Sequence, residues 1–233
     1  MTTSITGTTL TFNDSTTMTT VPDRALGQPL GISTYTAAGT YTWTPPAGCN
    51  RVLVRVVGGG GGGCGYCESG GAGGYAEGYH TTSAAQTVVV GGGGAGTGYH
   101  SAAGVGGTSS FGGFISATGG YGANNNFSHS GGHGGVGSGG QVQTYGGVGS
   151  GHTNSVGYWP GGTGGKSYFG GATAKIRSHG ATTNVGQLPG GAPGAGGPGQ
   201  VTDGGDVGVT RFGTADYYNN RGIAGCVVVY AFK

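Results

Sequence analysis

The chain has 233 residues, of which 63 are glycine and 8 are proline, and nine basic against seven acidic residues give a net charge of +2. So few basic side chains exclude nucleic-acid binding by phosphate neutralisation. Glycine and proline at this level, without a strict period, often mark disorder. Disordered chains, however, are usually highly charged and poor in aromatic residues. This chain is only 7% charged and 9% aromatic, so we expect a folded protein.

Residues 1–32 form a leader that is rich in threonine and poor in glycine. The alternation in TLTF predicts a strand with Leu10 and Phe12 on one face, and the following NDS predicts a turn into a strand with Met18. Two strands alone are marginal in water. We therefore predict that the leader uses Leu10, Phe12 and Met18 to associate threefold or to attach to another protein. The sequence shows neither a cleavable apolar segment nor a membrane-spanning run, so we expect a soluble protein.

Residues 33–233 are predicted to form one glycine-rich domain on an all-β base. In TYTWT, Tyr41 and Trp43 share one face, and in RVLVRVV the valines at 52, 54 and 56 point inward. No 3.6-residue period occurs and glycine interrupts every candidate window, so essentially no α-helix is expected. The strands of the base are predicted within 33–57, 74–90, 108–118 and 222–233.

Six consecutive glycines follow the strand RVLVRVV directly, at positions 58–63. Ordered glycine is entropically costly, so such a segment stays ordered only if it gains a close approach that side chains would prevent. Extended helices with three residues per turn leave their backbone groups free to bond to neighbouring helices. Irregular spacing of the glycines argues against collagen. The sequence therefore predicts a sandwich of short polyglycine II helices, stacked on the β base and joined by loops.

The four cysteines are Cys49, Cys64, Cys67 and Cys226. The CGYC spacing fits a zinc knuckle or a redox motif, but a second ligand pair and a βαβ context are missing. Cys49 and Cys226 each begin a predicted strand and are expected to be neighbours. Whether either pair is bonded stays open, because disulfides are uncommon in a reducing cytoplasm.

Metal binding, cofactors and catalysis are not expected. His129 and His133 lie four apart, but on a non-helical chain this spacing does not place them on one face. The seven acidic residues offer no carboxylate pair at a predicted site, as a glycosidase needs. The sequence also lacks a G-x-S-x-G nucleophile elbow.

Several segments resemble the glycine-rich C-terminal domain of bacteriophage tail-fibre proteins, and the architecture is similar to the distal tail-fibre adhesins of T-even-like phages. The resemblance rests on GTYTWTPPAGCNRVLVRVVGGGGGG, GGAGGYAEGYHTTSAAQTVVVGGGGAG, GGTSSFGGFISATGG and GCVVVYAF. It implies a protein of the virion, in a tail fibre or tail tip, which is assembled in the host cytoplasm. It also implies that variable loops on the glycine helices bind a receptor on the host surface.

That role falls on the loops that interrupt the glycine motifs, at 97–103, 121–130, 152–160, 174–189 and 210–221. Aromatic residues and amides suit recognition surfaces. The candidate receptor-binding residues in these loops are Tyr99, His100, Asn124, Asn125, Asn126, Phe127, His129, His152, Asn154, Tyr158, Trp159, Lys175, Arg177, His179, Arg211, Tyr217, Tyr218, Asn219 and Asn220.

The expected partners are an outer-membrane protein or a surface polysaccharide of the host, and other tail-fibre or baseplate proteins. A homotrimer is expected, with a monomer capping a trimeric fibre as the alternative. A different function for such a bundle is ice binding or a purely structural spacer. Ice binding favours a flat face with a strict repeat, which the irregular aromatic loops oppose.

Overall fold

The computed structural model describes residues 29–64, 68–97, 101–124, 130–151, 162–171, 191–199 and 220–233, and the backbone alone of 4–6, 9–11, 17–18, 158–159 and 202–203. Three short strands lie in the leader, namely β1 (Ser4–Thr6), β2 (Thr9–Thr11) and β3 (Thr17–Met18). The others are β4 (Pro29–Tyr35), β5 (Gly39–Trp43), β6 (Arg51–Val57), β7 (Tyr75–Thr81), β8 (Gln86–Val90), β9 (Ser109–Phe111), β10 (Ile115–Ala117), β11 (Gly137–Ser138), β12 (Val142–Thr144), β13 (Tyr158–Trp159), β14 (Thr202–Asp203) and β15 (Cys226–Phe232). Within the described residues the chain is all-β and has no α-helix, as predicted.

Two five-stranded antiparallel sheets form a sandwich. The first sheet has the order β12-β7-β6-β15-β4, and the second has the order β11-β10-β9-β8-β5. The strands of both sheets fall mainly within the ranges predicted for the base. The core between the sheets is filled by the inward residues of each strand, because successive side chains of a strand point to opposite faces.

The strand β6 shows why this sequence forms the centre of the core. Val52, Val54 and Val56 are fully buried, while Arg51 is exposed and Arg55 is half-buried on the other face. From the second sheet, the Trp43 ring meets the Phe111 ring edge-on, with 5.4 Å between their centroids. The prediction that the valines at 52, 54 and 56 point inward is confirmed, and Trp43 of the predicted strand TYTWT lies in the core.

The run SSFGGFISAT forms a tight hairpin, β9 paired with β10. Gly112 sits in the turn with a φ of 54°. This is the left-handed region that glycine adopts without steric cost. The turn therefore brings β10 back beside β9.

The expectation that Cys49 and Cys226 are neighbours is wrong. Each cysteine does precede or begin a strand, but β6 and β15 are antiparallel, with Cys226 opposite Val57 and Phe232 opposite Arg51. Cys49 therefore lies near the Phe232 end of β15. Six residues of strand separate the two thiols by about 20 Å, well beyond the reach of a disulfide. Both are buried free thiols; Cys67 lies outside the described residues.

The leader strands form a small sheet of their own, in the order β1-β2-β3. Leu10 of β2 lies opposite Met18 of β3, which is the pairing that the predicted hairpin requires. Ile5 of β1 lies opposite Leu10 on the other side. Phe12 lies outside the described residues.

The register also defines the two ends of the sandwich. At one end Pro29 and Arg51 lie opposite Phe232, and the chain enters β4 from the leader there. At the other end Val57 lies opposite Cys226, and the glycines begin at Gly58. The leader and the glycine segments therefore join opposite ends of the sandwich.

Candidate functional site

The six glycines after β6 are bonded to three neighbouring segments in rotation. The N–H groups of Gly58 and Gly61 donate to the carbonyl oxygens of Gly74 and Gly71, and that of Cys64 donates to Glu68. Those of Gly59 and Gly62 donate to a second segment, at Gly107 and Gly104, and those of Gly60 and Gly63 to a third, at Ile223 and Asn220. Every third residue thus donates its N–H hydrogen bond to the same neighbouring segment, so the hydrogen bonding has a period of three residues.

The carbonyl groups of the same segment accept hydrogen bonds from three further segments. Gly94 and Thr97 donate to Gly60 and Gly63, and their segment runs parallel to 58–64. Gly120 and Ala123 donate to Gly59 and Gly62, and Gly197 donates to Gly61. Segment 58–64 therefore has six bonded neighbours and no open side.

Segment 68–74 is built in the same way. Its N–H groups donate in rotation to 147–150, 194–197 and 118–121, and its carbonyls accept from 58–64, 132–135 and Gly165. The two inner segments, 58–64 and 68–74, are thus surrounded by eight others. We refer to all ten as the glycine array, and its outer segments are 91–97, 103–107, 118–124, 130–136, 145–151, 162–166, 194–199 and 220–225.

Side chains are excluded from the inner segments by backbone on every side. A methyl group on Gly58 or Gly61 would overlap the carbonyl oxygen of Thr118 or Tyr121, and one on Gly60 would overlap that of Ala195. Within the inner segments, side chains occur only at Ser69 and Ala72, three residues apart and fully buried, and at the segment ends Cys64 and Glu68, which are also buried. The Ser69 hydroxyl lies 2.7 Å from the carbonyl oxygen of Ser150 and 2.6 Å from that of Thr163.

Most of the connections between the segments of the array lie at one of its ends. Cys64 and Thr97 form a parallel bridge at the end away from the sandwich, and Ser130 and Ser150 form an antiparallel one. Gly199 donates to Gly162 at the same end. We call this the loop end, because the connections at 65–67, 98–100, 125–129, 152–161 and 200–219 all leave and re-enter the array there.

The predicted loops 97–103, 121–130, 152–160 and 210–221 all have described flanks at the loop end. Asn124 is exposed there. The backbone of Tyr158 and Trp159 pairs with Asp203 and Thr202, which brings the fourth and fifth connections together. The remaining candidates lie outside the described residues, namely Tyr99, His100, Asn125, Asn126, Phe127, His129, His152, Asn154, Lys175, Arg177, His179, Arg211, Tyr217, Tyr218 and Asn219.

The predicted loop 174–189 differs, because the described residues on both sides of it lie beside the sandwich. Before it, the Tyr168 ring stacks on the ring of Tyr75, the first residue of β7, at 3.5 Å between centroids. After it, Gly194 donates to the carbonyl of Ala224, two residues before β15. This loop therefore starts and finishes at the opposite end of the array from the other four.

Asn220 was predicted to contact a receptor, and this is wrong for the described chain. Its side chain is completely buried, because the segment 220–225 packs directly on 58–64. Among the residues that the structure describes, its amide nitrogen and oxygen have no hydrogen-bond partner. Asn220 is therefore buried beneath the loop end and is not part of its surface.

Glu68 is a second buried polar residue at this end, and sequence reasoning missed it. It is only 2% exposed, and its Oε2 has no hydrogen-bond partner within the described part of the chain. Burial raises the pKa of its carboxyl group above the ordinary value. The signal was present in CGYCE, where an acidic residue stands at the start of an inner glycine segment.

Among the described residues no group of three or more His, Cys, Asp or Glu side chains could hold a metal ion. No helix in that part of the chain is long and apolar enough to span a membrane.

A β-sandwich that continues into a glycine-rich, backbone-bonded array defines a glycine-rich β domain. A family model described as a glycine-rich domain matches residues 36–232, and the chain belongs to that family. The match includes both sheets, except for β4, and the whole array, whereas the leader and β4 precede it. A search of curated proteins finds no match to the chain.

Proposed function

We propose that this protein is a tail-fibre or tail-tip protein of a bacteriophage, and that it binds a receptor on the host cell through the loops at the loop end. The observation that carries the proposal is that the candidate loops and the leader lie at opposite ends of the domain. Four of the five predicted recognition loops flank one end of the array, and the leader joins the opposite end of the sandwich. A protein held by one end and presenting loops at the other suits attachment.

We further propose that the segments of the array are polyglycine II helices. The three-residue period of the hydrogen bonds and the six neighbours of each inner segment support this interpretation. Such an array is rigid and leaves little room for side chains inside it. Specificity for a receptor therefore has to reside in the loops, which vary without disturbing the backbone packing.

The low charge of the chain points to contacts through aromatic stacking and amide hydrogen bonds. Both an outer-membrane protein and a surface polysaccharide offer partners for such contacts. The same proposal places the protein in the virion, with a tail-fibre or baseplate protein at the leader. It requires no catalysis and no cofactor.

Loop exchange tests this proposal. Replacing 152–160 together with 210–219 by the loops of a related glycine-rich domain should switch or abolish adsorption to bacterial cells, while the melting temperature stays within a few degrees. Asn220 is retained because it is buried in the array. Adsorption is measured with purified, labelled protein on a panel of strains and on mutants that lack single surface proteins or the polysaccharide.

The matched control is the loop 174–189, whose flanks lie beside the sandwich. Its exchange should leave the pattern of adsorption across the strain panel unchanged. If the double exchange at the loop end left adsorption intact, the array would be a spacer and another protein would bind the receptor.

A further inference from the structure

Four outer segments of the array lie side by side and form one surface, which we call the lateral face. Segment 118–124 accepts hydrogen bonds from 103–107 and donates hydrogen bonds to 130–136. Segment 145–151 donates to 130–136 from the other side and so continues the layer. The lateral face runs along the array from the sandwich to the loop end.

Side chains reach the lateral face only at every third residue. A methyl group on Gly119 would overlap the carbonyl oxygen of Gly106, and one on Gly120 would overlap that of Gly71. The next residue, Tyr121, is the one that faces solvent. The same spacing recurs in the other segments, where the exposed residues include Val105, His133, Val136, Tyr145 and Val148.

The register of the hydrogen bonds aligns these side chains in rows across the segments. The central row consists of Val105, Tyr121, His133 and Val148. In the next row, towards the sandwich, Val136 lies opposite Tyr145. Successive rows are three residues apart, which is about 9–10 Å in extended backbone. The lateral face is therefore a regular grid of side chains on a backbone that hydrogen bonds hold in place.

Two tyrosines are the largest side chains of this grid. Tyr121 is 58% exposed and Tyr145 is 77% exposed. Within the described residues neither side chain forms a hydrogen bond or contacts another aromatic ring. The two rings are one row and two segments apart. A large ring with a polar hydroxyl, held on a rigid backbone and left without contacts, is suited to recognition.

The polar groups around Tyr121 are hydrogen-bonding groups of the neutral kind. Thr118 and Asn124 flank it along its own segment, and His133 lies beside it in the central row. Hydroxyl, amide and imidazole groups donate and accept hydrogen bonds. An aromatic ring among such groups matches the chemistry of a sugar, which has an apolar C–H face to stack on the ring and hydroxyl groups that need hydrogen-bond partners.

The charge and spacing of the side chains favour a neutral polysaccharide over a protein. No Lys, Arg, Asp or Glu occurs in 101–124, 130–136 or 145–151, and Lys166 belongs to the neighbouring segment 162–166. A protein interface has a closely packed apolar centre. Here two residues separate successive side chains along each segment, so the apolar groups stand apart. A chain of repeating sugar units can match such a grid in several registers.

We propose that the lateral face binds a neutral polysaccharide of the host surface, with Tyr121 and Tyr145 as two stacking platforms. This inference rests on the proposed function, in which the loop end faces the cell. Polysaccharide chains extend away from the cell surface and would then run along the side of the array. An open face of this kind binds weakly at any one point, so it adds affinity through several contacts, while the loops retain the specificity.

Binding to neutral polysaccharides purified from the strain panel and immobilised tests this site without cells. Tyr121→Ala and Tyr145→Ala should each weaken binding about 3- to 10-fold. Tyr121→Phe keeps the ring and should bind nearly as the wild type does. Tyr79→Ala removes a ring that is 54% exposed on the sandwich and should have no effect. A wild type that binds none of the polysaccharides, or an unchanged affinity of Tyr121→Ala, would overturn the proposal.

Fragments of the bound polysaccharide, graded by length, test the spacing of the two rings. The affinity of the wild type should rise with length until a fragment reaches both tyrosines. This rise should be absent in Tyr145→Ala. A wild-type affinity that does not depend on length would contradict a site with two platforms.

Cells with and without the polysaccharide separate the possible occupants. The Tyr121→Ala, Tyr145→Ala double variant should adsorb less than the wild type to cells that carry the polysaccharide, and equally to mutants that lack it. An equal reduction on both kinds of cell would assign the lateral face to a protein and overturn the proposal. Thermal hysteresis of the wild type that is lost in Tyr121→Ala would assign the face to ice and would also overturn it.

The lateral site and the proposed function fail separately. A wild type that binds purified polysaccharide through both tyrosines but adsorbs to no strain would contradict the receptor-binding function and leave the lateral site standing. A wild type that adsorbs to cells, while both alanine variants bind every polysaccharide as well as it does, would overturn the lateral site alone.

Discussion

The sandwich and the glycine array are ordered by opposite means. In the sandwich, branched and aromatic side chains such as Val54 and Trp43 fill the space between two sheets. In the array, backbone contacts backbone directly, and each inner segment hydrogen-bonds to six neighbours. A side-chain core tolerates a smaller residue at the cost of a cavity, whereas the backbone packed around inner glycines such as Gly58 and Gly61 leaves no room for even one methyl group there.

The largest effect is expected from Gly61→Ala, which should prevent stable folding. The new methyl group would overlap the carbonyl oxygen of Tyr121, and backbone fixed by hydrogen bonds on all sides cannot move away. We expect a loss of more than about 5 kcal/mol, which is exceptional for a single substitution. Thermal denaturation followed by circular dichroism measures it.

Gly92→Ala is the control within the array. A methyl group there meets only the Cβ of Ala38, at 3.7 Å, an ordinary contact. The variant should melt close to the wild type. If Gly61→Ala melted equally close, tight backbone packing would not explain the glycines.

A smaller loss is expected from Trp43→Ala in the sandwich. The side chain is 2% exposed and packs on Phe111, so its removal leaves a cavity. Aromatic truncations of this kind cost about 3–5 kcal/mol. Thr42→Ala, on the exposed face of the same strand, should shift the urea midpoint little. A Trp43→Ala variant as stable as Thr42→Ala would mean that the two sheets do not share a packed core.

The smallest effects on stability are expected from two glutamates whose pKa values shift in opposite directions. Burial raises the pKa of Glu68 in the array. In the sandwich, a hydrogen bond from the Tyr75 hydroxyl, at 2.6 Å, and the ion pair with Arg55, at 2.5 Å, lower the pKa of Glu77. The stability linked to Glu68 is present below its unfolded-state pKa and is lost as the pH rises through its folded-state pKa. That linked to Glu77 is present above its unfolded-state pKa and is lost as the pH falls.

At neutral pH, Glu68→Gln should therefore raise the melting temperature and Glu77→Gln should lower it, each by roughly 2–4 °C. The wild-type protein should lose stability as Glu68 ionises between acidic and neutral pH, and this loss should be smaller in Glu68→Gln. The check is a series of melting curves from pH 4 to pH 8. Shifts of the same sign for both variants would refute the assigned environments.

The sequence predicted the sandwich better than the array, for a physical reason. The alternation in RVLVRVV specifies both the strand and its buried face, so Val52, Val54 and Val56 could be assigned before the fold was known. Glycine has no side chain, so a run of glycines contains no pattern from which the neighbouring segments can be predicted. The partners of Gly58 or Gly62 therefore follow only from three-dimensional packing.

The errors in the site have related causes. Asn220 stands in a polar stretch of sequence, yet it is buried because its neighbours are glycine segments that bury residues without apolar side chains of their own. The loop 174–189 looks like the other loops in composition, and only the stacking of Tyr168 on Tyr75 shows where it leaves the array. Cys49 and Cys226 were separated by strand direction, which composition does not encode.

The central claim is that receptor binding occurs at the loop end. Hydrogen–deuterium exchange of the full-length protein, free and adsorbed to outer-membrane preparations of a susceptible strain, tests it most directly. Receptor binding at the loop end predicts new protection confined to the connections at 98–100, 125–129, 152–161 and 200–219, with the sandwich and 172–190 unchanged. Protection on the sandwich or on 172–190, with none at the loop end, would contradict it.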